Sequence, residues 1–277
     1  MAANVLTRIK DQLDKIKKIF SKARNIFVKR KNDLNGKPGN DSLSEIPISI
    51  YEEYASIIGP HIAYYRELAE EEKKIFIERT YLFQKNKKFH FLDLEEKPEM
   101  PILISSVAVE ITFGLDNYLL PFFKNIYLIS DVYQVLGNEE WYLGHVAPSG
   151  IYISWKHFLQ GFENTEDNFN TGLHELAHAV HHENFVDEKG VDWEFRADLE
   201  NLSKVYGPML TESLIQNKSY LRGYAFTNFY EFWAVSVEAF FENPMGLKIN
   251  LPDLYNILCK TLRQDPLAKY KRLMTSK

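Results

Sequence analysis

Hydrophobic positions at the start of the chain recur every three or four residues. Leu6, Ile9, Leu13, Ile16, Phe20, Ala23 and Phe27 form one apolar stripe, with basic residues on the other faces. That spacing predicts an amphipathic helix. Residues 32–45, "NDLNGKPGNDSLSE", are rich in Asn, Asp, Gly, Ser and Pro and predict a linker. The division expected is therefore 1–45, basic helix and linker, and 46–277, the main domain. From 46 to about 90 the pattern is helical. Residues 101–113, "PILISSVAVEITF", fit a buried helix by length and a strand by their Val and Ile content. "NIYLIS" (125–130) and "GIYISW" (150–155) predict short strands. A helix follows "GFENTEDN", a second is expected near 190–206, and a third over roughly 228–242, ended by Asn243-Pro244. The sum is an α+β domain, mostly helical, with a small central sheet.

Composition changes this picture little. An apolar fraction of 45% in 277 residues supports a sizeable core. No apolar run reaches the roughly 18–20 residues of a membrane span. The start is polar and basic, without a signal-peptide pattern. Cys259 is the single cysteine, so no internal disulfide staples the fold. It reads as a core residue, which fits a reducing compartment, and the cytoplasm is the expected location. Charge adds more. Residues 1–31 hold ten Lys and Arg against Asp11 and Asp14, a balance of +8, so the remainder of a chain with net charge −5 is −13. An acidic main domain argues against direct nucleic-acid binding. For the basic helix three readings stay open: packing on its own domain, pairing with a partner helix, or contact with an anionic membrane surface.

Within "TGLHELAHAV" (171–180) lies His-Glu-x-x-His. Positions i and i+4 share one side of a helix, so His174 and His178 can direct nitrogens at one point and clamp a zinc ion. Glu175 then sits beside the metal, where a general base belongs. The plain alternative is a buried helix with two satisfied histidines. Catalytic zinc takes three protein ligands and keeps an open position. His181 lies about 10.5 Å along the axis from His174, too far to share one ion. A supporting or surface place is expected for it, and a solvated one for His182. The third ligand should come from "NFYEFWAVSVEAFFENP" (228–244). Glu231 and Glu238 stand seven apart there, on one face of a very apolar helix. Carboxylates in such surroundings are costly unless paired, hydrogen-bonded or bound to metal. A ligand with a supporting carboxylate answers that cost, and a thin solvated stripe is the alternative.

These segments, with "GIYISW", "GYAFTNFYEFWAVSVEAFFENP" and "RQDPLAKYKRL", resemble the Mlc titration factor A family of zinc-dependent peptidases, over roughly residues 46–277. The resemblance implies a catalytic fold similar to the protease domain of anthrax lethal factor. It implies one zinc per chain, held by His174, His178 and Glu231, with Glu175 as base. It also implies that Tyr224, seven residues before Glu231, donates a hydrogen bond to the oxyanion. Asn170, four before His174, could orient the site. One position departs from the family pattern: His181 stands where Asp is usual.

The function expected is gluzincin-like: hydrolysis of a peptide or protein substrate by Glu-assisted attack of a zinc-bound water. "GIYISW" is expected to be the cleft-edge strand that a substrate backbone extends. The alternative, implied by the same resemblance, is a regulatory protein that binds a transcriptional repressor, with zinc mainly structural.

Overall fold

The computed structural model describes residues 46–268 apart from 136, 138, 164–167, 186–191 and 217–218. The predicted N-terminal helix and linker lie outside the described residues. Three helices open the domain: α1 (Ile48–His61), the short α2 (Ala63–Arg66) and α3 (Glu70–Lys85). Then come β1 (Lys88–Leu92), α4 (Glu99–Thr112), β2 (Asn125–Ile129), β3 (Tyr133–Gln134), β4 (Trp141–Tyr142), β5 (Gly144–Ala147), β6 (Gly150–Ser154) and α5 (Trp155–Gln160). The remainder is helical: α6 (Thr171–Phe185), α7 (Trp193–Gln216), a 3-10 turn (Gly223–Phe226), α8 (Phe229–Glu242), α9 (Pro244–Asn250) and α10 (Pro252–Leu262). The fold is α+β with a small mixed sheet, as the sequence patterns predict.

The ambiguous stretch 101–113 belongs to a helix. Every residue of α4 from Met100 to Thr112 is buried. A helix covered on all sides has no polar face, so no helical period appears in its sequence. It packs against α3 on one side and α6 on the other, and forms the centre of the domain.

The four-stranded sheet runs β1-β2-β6-β5. β1, β2 and β6 are parallel, and β5 pairs antiparallel with β6. "GIYISW" is therefore an internal strand, β6, flanked on both sides, and the expectation that it forms the cleft edge is corrected. The edge beside α6 is β5. A two-residue turn joins β5 to β6, with Ala147 paired to Gly150. Gly150 has φ 156°, and a Cβ there would stand 2.5 Å from the Asn125 carbonyl oxygen, so the turn needs glycine.

Strand alternation gives the sheet two faces. Ile126, Leu128, Ile151 and Ile153 are fully buried in the core. On the other face His90, Tyr127, Tyr152 and His145 lie in register across all four strands. Their rings stack with centroids 4.5, 4.4 and 4.3 Å apart. Cross-strand pairs of this kind fix the register of short strands.

Two helices carry the motif residues. Helix α8 begins where the Asn228 side chain accepts from the backbone N–H groups of Tyr230 and Glu231, a side-chain cap. It ends at Asn243, and Pro244 opens α9, a position where its missing N–H costs nothing. The indole of fully buried Trp233 donates to the Ala177 carbonyl at 2.8 Å, which pins α8 against α6. The helix expected near 190–206 starts at Trp193 and runs on to Gln216, through Pro208. Phe195, Leu199, Leu202, Tyr206 and Leu210 form its buried stripe, packed chiefly on α10.

Candidate metal centre

Asn170 sets the start of α6. Its side chain accepts from Leu173 N and donates to the Gly161 carbonyl. One turn later His174 and His178 project from the same side, with their Nε2 atoms 3.1 Å apart. From α8, Glu231 brings Oε2 to 3.0 Å from His174 Nε2 and 3.4 Å from His178 Nε2. Among the described residues these three form a group able to hold a metal ion.

The spacing fits a tetrahedral site. Metal bonds of about 2.0–2.1 Å at tetrahedral angles put neighbouring ligand atoms about 3.3 Å apart. The chemistry of the donors agrees. Glu238 Oε1 lies 2.7 Å from His174 Nδ1, so Nδ1–H donates to the carboxylate and Nε2 is the nitrogen turned to Glu231 and His178. His174 Nε2, His178 Nε2 and Glu231 Oε2 then face one another, and a cation among them would satisfy all three. Burial works against a charged His174, but its hydrogen bonds to Glu231 and Glu238 prevail and push its pKa up to about 10. Burial likewise favours a neutral Glu231, yet the two imidazoles pull it down to about 2. A field that favours a proton on His174 favours a divalent cation in the same place.

Glu238 is the anchor of this arrangement. It is 1% exposed. Its second oxygen accepts from Asn170 N at 2.7 Å, and Arg222 Nη2 donates to the first at 2.6 Å. The carboxylate on α8 thus holds the first histidine, the start of α6 and a cation at once. Histidine ligands depend on such partners for ring orientation. Asn170 takes part through its backbone N–H, while its side chain caps the helix.

Glu175 is 6% exposed. Burial pushes its carboxyl up to about 8, with His174 opposing and the charges of Glu231 and Glu238 adding to the rise. Its Oε2 has no hydrogen-bond partner among the described residues. The edge strand makes room for it: a Cβ on Gly144 would meet Glu175 Cγ at 2.5 Å. Tyr224, on the 3-10 turn, is 52% exposed, and its ring centroid lies 6.0 Å from that of His174. Burial of its phenol, then Glu231 and Glu175, push its pKa up to about 12, so the hydroxyl keeps its proton.

The cleft has two lobes that share Tyr142, Gly144, His174, Glu175 and Tyr224. The larger, of about 670 Å³, extends past Phe169 and Arg222; the smaller, of about 460 Å³, passes His178, His181 and Tyr230.

The structure brings His174, Glu175, His178, Glu231, Glu238 and Tyr224 together. His181 stays outside the triad, as its distance along the helix requires. It is 3% exposed, stacked on Phe185 and edge-on to Tyr230, and burial lowers its pKa to about 3. It is thus a neutral ring packed below the site. His182 is partly buried rather than fully solvated: it packs on Phe122 and Phe123, with centroids 4.6 and 5.1 Å away, and lines the smaller lobe of the cleft. Cys259 is half-buried against the core, and burial pushes its thiol up to about 11. Arg222 and Gly144 escape sequence reasoning. Arg222 stands two residues before Tyr224 but has no pattern of its own, and Gly144 carries no signal before the strand order is known.

With this geometry the family assignment follows. Residues 42–263 match the glucose-regulated metallo-peptidase M90 family, and the chain belongs to it. Relatives include the uncharacterized protein slr2042 of Synechocystis, 22% identical over 77% of this chain and 84% of its own length. The Mlc titration factor A proteins of Yersinia pestis and Yersinia pseudotuberculosis are each 27% identical over 52% of this chain. The chain spans about half the length of those Mlc titration factor A relatives, 53%. Membership of a metallo-peptidase family implies a metal, and the His-His-Glu group is where the described residues could hold one.

Proposed function

We propose that this protein is a zinc peptidase, with one ion held by His174, His178 and Glu231. The observation that carries the reading is the convergence of those three atoms beside a buried glutamate with an unpartnered oxygen. Zinc bound there would polarise a peptide carbonyl and acidify a water. The charge of a bound ion would draw the Glu175 carboxyl back to its ionised form, and Glu175 then accepts the proton of the attacking water and delivers it to the leaving amine. Tyr224, still protonated, donates its O–H to the oxyanion. Glu238 keeps the proton of His174 on Nδ1. Strand β5, the free edge beside the cleft, offers backbone groups to an extended substrate.

The test is Glu175→Gln, assayed for zinc content and for cleavage of an unbiased peptide library. Zinc stoichiometry is expected to stay at the wild-type level while hydrolysis falls by ~10²–10⁴-fold. Wild-type cleavage by this variant would overturn the base assignment.

A second reading rests on the name carried by the Yersinia relatives, Mlc titration factor A. Here the domain would bind a transcriptional regulator, with zinc mainly holding α6 to α8. Glu175→Gln separates the two in cells, because a binding role survives loss of the base and a hydrolytic role does not.

A further inference from the structure

We propose that the larger lobe of the cleft is a subsite for a substrate carboxylate, with Arg222 as the group that reads it. This rests on the peptidase reading only in placing a peptide in the cleft. Among the described residues lining that lobe, Arg222 is the one lysine or arginine. Its guanidinium is held on two sides: Nη2 donates to Glu238 Oε1 at 2.6 Å, and the group lies over the Phe169 ring, 4.6 Å from the centroid. An arginine fixed in this way presents its remaining donors without first losing rotamer freedom. The side chain keeps 27% of its surface exposed. On the same wall, buried Arg222 Nε and Thr171 Oγ1 lack hydrogen-bond partners among the described residues. The guanidinium Nε–H is a donor and the hydroxyl can donate as well, and buried polar groups of this kind are normally paired.

Glu140 and Glu175 also line the lobe, so Arg222 is the point on its wall that can take an anion. Trp141 is 66% exposed and Phe169 40% exposed, and exposed aromatic rings around a polar centre are common in ligand sites. Glu238 already balances the charge of Arg222. The arginine therefore offers directed hydrogen bonds more than net positive charge, which suits a planar monoanion better than a phosphate dianion. A carboxylate matches the guanidinium fork. Two sources supply it: an Asp or Glu side chain near the scissile bond, or the C-terminus of a peptide.

Three acetylated peptides of one backbone distinguish these: a Glu peptide with an amidated C-terminus, its Gln counterpart, and the Gln peptide with a free C-terminus. Binding to the zinc-loaded protein is followed by Trp141 fluorescence, with Trp141→Phe identifying the signal. Wild-type protein is expected to bind one of the two carboxylate peptides about tenfold or more tightly than the neutral one. Arg222→Gln should abolish that ratio, and Arg222→Lys should restore only part of it, with zinc content measured in each. Equal binding of all three peptides by wild type overturns the proposal without any variant. So does a ratio that survives in Arg222→Gln. Because the readout is binding, carboxylate preference without cleavage would remove the peptidase reading and leave the subsite in place.

Discussion

Helices α4 and α8 are both 14 residues long, both apolar, and both carry glutamate into the core. They treat it in opposite ways. On α4, Glu110 is 7% exposed, and burial alone pushes its carboxyl up to about 8. On α8, the imidazoles of His174 and His178 outweigh burial and pull Glu231 down to about 2, while Glu238 receives donors from Asn170, His174 and Arg222. Burial by itself turns a carboxylate into a neutral acid. Partners turn it into a ligand or an anchor. An apolar helix with glutamates is thus not in itself a metal site. What makes α8 a candidate for one is the second helix that brings nitrogen to it.

That contrast breaks most readily at Glu231. Glu231→Ala removes one of the three proposed ligand atoms and leaves two nitrogens 3.1 Å apart. The purified variant is expected to lose stoichiometric zinc on gel filtration, and hydrolysis should fall to background with it. Retention of one zinc per chain would mean that the ion sits elsewhere.

Glu238→Gln is the next largest. The amide keeps the shape but not the charge, and its NH₂ group must face one of the N–H donors that now meet an oxygen. Zinc affinity should weaken by ~10–100-fold, as for other partners of ligating histidines, measured by competition with a chelator. Unchanged affinity would reduce Glu238 to a helix clamp and erase its difference from Glu110.

The sequence makes the two sides of this comparison unequally visible. His174 and His178 are legible because i and i+4 lie on one side of a helix, whatever the fold. Glu231 and Glu238 are legible as a pair, since seven residues also return to one face. Their spacing does not say which of them meets the metal. Only the resemblance singles out Glu231, because the choice depends on where α8 crosses α6, a long-range fact. Helix α4 hides its period because every side of it is covered. "GIYISW" reads as an edge strand yet lies inside the sheet for a related reason: strand order is set by pairing with distant residues, and the four residues of β5 carry no signature of being outermost. His182 reads as solvated because its packing on Phe122 and Phe123, some sixty residues earlier, leaves no local signal.

The smallest effect sharpens the comparison from the α4 side. Glu110 has an ordinary carboxyl pKa near 4.5 when unfolded and about 8 when folded. Between these values the folded chain holds a proton that the unfolded chain releases. Stability from this group is therefore full below about pH 4.5 and declines as pH rises through 8. Glu110→Gln imitates the neutral acid and removes the decline. The variant should match wild type near pH 4 and melt at higher temperature by pH 9. The gap, a few kcal/mol at most, corresponds to roughly 5–10 °C for a domain of this size. Lys87, whose pKa burial lowers to about 7, gives an opposite slope in both proteins and cancels in the difference. Melting curves at pH 4, 6, 8 and 9 decide it. A constant gap would show that Glu110 has found a cation after all, and that the two helices solve the same problem in the same way.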